Sequence, residues 1–448
     1  MLNWASPFNI SCFLDNHGYG LPAHSYECLL AAGAIDSAEA KAGDALDRLK
    51  DFAAKRKDWL FGHFAYGLTK ETEPQAARPP STDDLSFRTD ISSAYPNDPS
   101  RPDPIGFPDL FFFVPEILIE LKADTIRIGS FRDDQEAILG EIINTALNAA
   151  LAAKGPSDGP PRKLPALQAL QARFSREEYL ATVRRLQEHI LRGDCYEINF
   201  CQEFYAHPAT IDPLQTWRSL SRISPNPFAA YYKLEKSHLL CSSPERYLRR
   251  TGDTLLSQPI KGTWPRSDNS AAGDKAAREQ LYHSSKDRSE NVMVVDLVRN
   301  DLSRICLEGS VKVKELYGIY TFPQVHQMIS SVEGELPPGT GLVDCIRATF
   351  PMGSMTGAPK NRVVGLIERY ERTPRGLFSG AVGYVTPEGD FDFNVVIRSI
   401  LYNETDHYLS CQVGSAITFY SNASDEYEEC LLKAEGIKKA LGIESPGL

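Results

Sequence analysis

Gln258 to Arg266 reads QPIKGTWPR and sets one lysine, Lys261, between a proline-restricted residue and a glycine. Pro259 and Pro265 stiffen the ends, Gly262 lets the backbone bend or approach another group, and Thr254 to Ser257 reads as a short strand feeding this loop. An amine desolvated at a strand end has a lowered pKa and becomes a nucleophile, whereas a solvated loop lysine does not. The segment alone leaves both readings open. Carboxylates offer a second chemistry. Asp287 and Glu290 stand three apart in a helical pattern, and Glu426 and Glu429 repeat that spacing near the end of the chain, so each pair lies on one helix face. If the two faces meet they form an all-oxygen cage of the kind Mg²⁺ takes, with water and an anionic substrate completing the shell. If they do not, they are ordinary solvated faces.

Arg398 lies in NVVIRSIL, which reads as an apolar strand where an unpaired guanidinium is costly to bury. It needs an anion, either an acidic residue of the protein or a substrate carboxylate held in a bidentate fork. GSMTGAPK, Gly353 to Lys360, lacks the Gly-Lys-Ser/Thr order of a phosphate loop, and no nucleotide is expected there. It does offer the Ser354 and Thr356 hydroxyls and free N–H groups at a predicted helix start, which favours an anion or a plain cap. His326 in QVHQM and Glu245 after Pro244 are each readable as an acid–base group or as a satisfied buried residue.

These groups need a scaffold. The 448 residues, 42% hydrophobic and 24% charged, have the composition of a soluble globular protein. A net charge of −11 without any basic block excludes a nucleic-acid surface. Nine scattered cysteines with no CxxC pair suggest neither disulfides nor zinc, and a cytoplasmic setting is expected. The N-terminus has no signal-like pattern, and the most apolar run, LFFFVPEILIEL, is broken by Pro115 and Glu116, so no membrane segment is predicted. Residues 154–165, KGPSDGPPRKLP, read as a linker between an N-terminal region, 1–153, and a catalytic region, 166–448, with the two regions expected to pack into one globule. Predicted helices run over Ser37–Lys55, Gln135–Lys154, Ala272–Ile305, Asn361–Arg372 and Asp425–Lys439, and another opens on the capping box Ser175 to Glu178. Leu110 to Gly129 reads as two strands about Lys122 to Asp124, with a long loop, 73–108, before it. YEINFCQEFY, FAAYYKL, HLLCSS, LFSGAVGYVT, DFDFNVVIRSILY and HYLSCQVGSAITFY add further strands. Runs of strands interrupted by helices imply a mixed α/β fold of the α+β type with mostly antiparallel sheet.

In order along the chain, SSPERYL, PIKGTWPR, KDRSENVMVVDLVRND, VHQMISSVEGEL, FPMGSMTGAPK, RGLFSGAVGY, DFNVVIRSI and DEYEECLLKA resemble the chorismate-utilising enzymes. The resemblance implies antiparallel sheets packed as a sandwich with helices outside. It implies that Glu290 and Glu429 bind Mg²⁺ directly, that Asp287 and Glu426 assist through water, and that the ion holds the ring carboxylate of chorismate. Arg398, with the backbone of Gly414, Ser415 and Ala416, would take the enolpyruvyl carboxylate, and Gly262, Thr263, Ser354 and Thr356 would line the ring. Glu245 would protonate the departing 4-hydroxyl while Lys261 attacks ring carbon 2, and His326 would orient the ring. Lysine in PIKGT marks the branch that adds ammonia at carbon 4, where anthranilate-forming relatives carry alanine. Without a glutaminase elbow in the chain, ammonia would come from solution or from a separate glutamine amidotransferase subunit. A catalytically silent subunit binding chorismate or tryptophan is the rival from another class.

Two departures stand out. The amine-adding branch usually has glutamine where YEIN places Glu197, and the glycine-rich GGGAI of relatives reads Val413 to Ile417 with Ser415 in place of a glycine.

Overall fold

The computed structural model describes residues 1–19, 26–74, 103–122, 124–132, 134–154, 167, 169–266, 270–322 and 325–443. Most of the predicted loop 73–108 and all of the predicted linker beyond residue 154 lie outside the described residues. Among the described residues the strands form two sheets, one of eleven strands and one of ten, and every pairing is antiparallel. Period-two alternation of apolar residues lets each strand bury one face against the facing sheet. One core includes Cys12, Leu29 and Tyr232 of the larger sheet together with Phe61, Phe113 and Phe393 of the smaller, and extends under the helix Ser285–Ser303. A second core lies where helices Arg176–Leu191, Lys360–Tyr370 and Ala423–Ala440 cover the other face of the larger sheet.

The N-terminal region does not stand apart. Its strand Ile10–Asp15 pairs with Phe228–Leu234, and Leu60–Phe64 pairs with Ala381–Val385, so both regions build both sheets. Among the described residues no helix is long and apolar enough to cross a membrane.

Several predicted boundaries shift for identifiable reasons. Ser37–Lys55 is a strand, Asp36–Ala40, followed by a helix, Ala45–Lys55, because Ser37–Ala40 pairs with the aromatic strand Leu110–Val114. Leu110 to Gly129 forms three strands, Leu110–Val114, Ile117–Lys122 and Thr125–Ser130, since Pro115 breaks the first from the second and sends them to different sheets. The predicted helix 272–305 is two, Ala271–His283 and Ser285–Ser303: the Ser284 hydroxyl accepts a hydrogen bond from the Asp287 N–H and caps a new start. DFDFNVVIRSILY is also two strands, Phe391–Asn394 in the smaller sheet and Ser399–Asn403 in the larger.

Candidate active site

Lys261 lies in an edge strand, Ile260–Pro265, rather than in a loop. This lysine strand runs against Val325–Glu335, with Ile260 opposite Ile329 and Thr263 opposite Gln327, and the register shifts between them. The shift is a bulge at Lys261 and Gly262, and such irregularities re-aim side chains. Gly262 has φ +95°, a left-handed conformation that a glycine takes without strain, and a Cβ there would press on Asp287. Thr263, next along, is exposed.

The bulge lets Lys261 turn inward, where its side chain is 11% exposed and its Nζ stands 2.9 Å from Glu197 Oε1. Glu197 opens the strand Glu197–Ala206 of the other sheet, so this ion pair ties the two sheets together. Burial alone would lower the lysine's pKa. The Glu197 carboxylate in contact, with Glu290 and Glu429 further off, outweighs burial and holds the amine charged, well above its ordinary value. Of the two readings left open, a desolvated amine with a lowered pKa is not the resting state: this lysine rests as an ammonium.

Glu245 follows the strand Ser237–Ser243 and is buried. Burial pushes its carboxyl up to about 7, against smaller opposing effects of Ser354, the Lys261 charge and the Ile260 backbone. An acid so placed is poised near neutrality to give a proton. Linkage sets the sign for stability: with its folded pKa raised from 4.5 to about 7, Glu245 lowers stability progressively as pH rises through that window. Glu245→Gln is expected to gain about 3 kcal/mol over wild type at pH 8 and nothing at pH 4, read from urea unfolding at both values.

The hydroxyl-bearing turn is a short 3₁₀ segment, Gly353–Met355, and the helix after it starts only at Lys360, so Ser354 and Thr356 are not at a helix start. Asn199 pins this turn to the Glu197 strand, donating its Nδ2 to the Ser354 carbonyl at 2.8 Å and its N–H to the Thr356 carbonyl at 2.6 Å. The Thr356 hydroxyl donates to Met352 O at 3.0 Å. Ser354 Oγ faces Glu245 but is buried without a well-formed hydrogen bond among the described residues. Lys360 is engaged by Asp301 at 2.6 Å, which agrees with rejecting a phosphate loop.

Arg398 sits between strands rather than within one, with φ 52°, where the chain crosses from one sheet to the other. Its guanidinium is partly buried, and burial lowers its pKa while Glu429 acts in the opposite sense. Among the described residues no carboxylate lies within 4.0 Å of it.

The two acidic helix faces do approach one another. Lys286 Nζ lies 3.4 Å from Glu426 and 3.9 Å from Glu290, so carboxylates of both helices already share one cation. Glu429 pairs instead with Lys433 at 2.6 Å, and Lys433 also donates to the Gly414 carbonyl at 2.8 Å. Asp287 packs beside Gly262. Among the described residues no three acidic, histidine or cysteine side chains are gathered as metal ligands. The donors are nonetheless all carboxylate oxygens, they come from two helices, and an ammonium bridges two of them, which suits a hard divalent cation.

Other predicted residues take different places. His326 is buried, with Nδ1 3.0 Å from Thr321 Oγ1 and Nε2 3.0 Å from Asp274, so both ring nitrogens serve the protein's own network. The Ser415 hydroxyl points into the outer core, 3.1 Å from Tyr179 OH, because Gly414 and Ser415 alternate on the strand Tyr408–Ile417. Ser415 and Ala416 lie opposite Phe200 and Asn199. A side chain at Gly414 would run into Cys201 and Asn199. The residues that sequence reasoning left off its list of site residues are Glu197, Asn199, Lys286 and Lys433. Alternation in YEINF, which puts Glu197 and Asn199 on one face, is the signal that could have found the first two. A separate cavity, lined by Asp15, Asn16, Tyr26, Phe228 and Asn394 among others, includes none of the predicted site residues.

The profile of a family described as chorismate binding enzyme matches residues 26–439. An aminodeoxychorismate synthase of Streptomyces pristinaespiralis is 42% identical over 283 residues, 63% of this chain and 39% of that protein. Aminodeoxychorismate synthase component 1 of Escherichia coli (strain K12) is 37% identical over 271 residues, 60% of this chain and 59% of that one. The alignments thus span less than two thirds of these relatives' length. Among solved structures, anthranilate synthase component I from Streptococcus pneumoniae superposes with a TM-score of 0.71 at 25% identity, covering 92% of this chain and 91% of that one.

Proposed function

The chain belongs to the family of chorismate binding enzymes, and from that footing we propose that it aminates chorismate to 4-amino-4-deoxychorismate. The observation that carries the reading is the convergence of an amine and an acid: the buried Glu245 carboxyl lies by the backbone of Ile260, the residue before Lys261, and feels the lysine's charge. The names of the Streptomyces and Escherichia coli relatives support the same branch.

In this mechanism Arg398, which has no carboxylate partner of its own among the described residues, takes the enolpyruvyl carboxylate. The turn around Ser354, held by Asn199, lies against the ring. Glu290 and Glu429 would hold Mg²⁺, with Asp287 and Glu426 alongside through water, and the bound ion would neutralise the ring carboxylate. Lys261, once neutral, attacks carbon 2; both ring double bonds shift, the C4–O bond breaks, and Glu245 gives its proton to the departing hydroxyl, which leaves as water. Ammonia then bonds to carbon 4 and expels Lys261 from carbon 2. Net, chorismate and ammonium give the amino product and water, and the ammonium's spare proton restores Glu245. A partner subunit delivering ammonia from glutamine fits the designation of the Escherichia coli relative as a component 1.

Purified protein given chorismate, Mg²⁺ and ammonium is expected to form 4-amino-4-deoxychorismate, identified by mass and chromatography, and to stop when a chelator removes the metal. Anthranilate as the main product would transfer the assignment to the branch of the solved Streptococcus pneumoniae enzyme.

A further inference from the structure

We propose that Glu197 is the catalytic base that takes the proton of Lys261 before the lysine attacks the ring, and returns it after the lysine is expelled. The inference rests on the amination reading above. Its ground is contact: Glu197 Oε1 at 2.9 Å is the sole acceptor bonded to Lys261 Nζ among the described residues, and both side chains are withdrawn from water, 3% and 11% exposed. The other Glu197 oxygen is buried with no hydrogen-bond partner among the described residues, so the carboxylate has an open site for a proton.

The remaining groups around the lysine do not serve. Glu245 is not hydrogen-bonded to Lys261 and is assigned to the leaving hydroxyl, and Glu290 and Glu429 act on Lys261 only from a distance. A charged lysine cannot attack, and the buried contact with the Glu197 carboxylate favours the charged form. Proton transfer across the existing hydrogen bond turns the ion pair into a neutral amine and a carboxylic acid. Excluding water when a substrate covers the pair favours that neutral form, because two charges cost more than none in a poorly solvated site. The lysine nitrogen then bonds to carbon 2 as a secondary ammonium, departs as a neutral amine when ammonia enters at carbon 4, and recovers its proton from Glu197. No oxidant or further reactant is required.

Glu197→Gln keeps size and a hydrogen-bond acceptor but removes both the base and the lysine's counter-charge. The two losses act in opposite directions. Losing the base slows the attack, whereas losing the counter-charge eases deprotonation and by itself would leave the variant as fast as wild type or faster. Wild type, Glu197→Gln and Glu197→Asp are compared with chorismate, Mg²⁺ and ammonium, using the ratio of variant to wild-type kcat so that the titration of ammonium cancels. Glu197→Gln is expected to lose about 100-fold in kcat at about pH 7 with KM for chorismate within about threefold of wild type, and the ratio is expected to climb toward about pH 9 as bulk hydroxide replaces the base. Glu197→Asp, which retains a carboxylate able to take the proton, is expected to hold a ratio that does not vary with pH.

A Glu197→Gln ratio near or above one, or a Glu197→Asp ratio that also climbs with pH, would overturn the base while leaving the amination reading intact. If Glu197→Gln does not fold, judged by its unfolding transition, the Glu197→Asp profile decides. Wild type that yields no 4-amino-4-deoxychorismate removes the reading and the inference together.

Discussion

Lys261→Ala is expected to lose formation of 4-amino-4-deoxychorismate by at least about 10³-fold, while chorismate still binds with near wild-type affinity. The chemistry loses the atom that bonds to carbon 2, whereas the carboxylate contacts of the substrate lie elsewhere. Residual turnover should drift toward anthranilate-like or isochorismate-like products, detectable by mass in the same assay. A second effect must be separated from the first. Removing the ammonium strands the buried Glu197 carboxylate, and breaking a buried pair from one side costs about 3–5 kcal/mol. The double variant Lys261→Ala with Glu197→Gln should therefore recover most of the lost stability, measured by denaturant unfolding, and none of the amination. Amination at wild-type rate in Lys261→Ala would remove the covalent role altogether.

Arg398→Met should weaken chorismate binding about 30-fold or more, the lower end of about 2–5 kcal/mol for truncating one side of a desolvated charge pair. The same change should not destabilise the free protein, and a rise in Tm of up to a few degrees is expected. The opposite signs follow from the geometry. No carboxylate among the described residues pairs with the guanidinium, so its partial burial is uncompensated until an anion arrives. The left-handed φ of 52° is borne equally by arginine and methionine and cancels in the comparison. Calorimetry with chorismate and Mg²⁺ measures the first effect and thermal unfolding of the free protein the second. A fall in Tm of more than about 5 °C would show that the protein itself depends on this arginine, as the alternative of an internal acidic partner requires.

Much of the fold was legible because periodicity is a local property. The capping box at Ser175, with both reciprocal hydrogen bonds, and the ten-residue strand Glu197–Ala206 follow directly from spacing and alternation. Misreadings arose where a local pattern had two continuations. HSSKDRSE reads as helix throughout, yet one serine cap at Ser284 restarts it. DFDFNVVIRSILY alternates as one strand, yet its ends pair in different sheets and the crossing forces Arg398 out of both. Nothing within either segment carries the pairing partner that decides.

The candidate site divides in the same way. From the sequence alone came the residue types: an amine beside a glycine, carboxylates spaced to share helix faces, an arginine in an apolar run, and ordered motifs resembling one family. Only the tertiary structure decided which charges meet. It set Glu197 against Lys261 from 64 residues away, placed Lys286 between Glu290 and Glu426, turned the Ser415 hydroxyl outward and gave His326 to Asp274. The lysine's protonation state shows why. Burial and facing carboxylates shift it in opposite directions, and the winner depends on separation and on local exposure to water, which chain spacing does not encode.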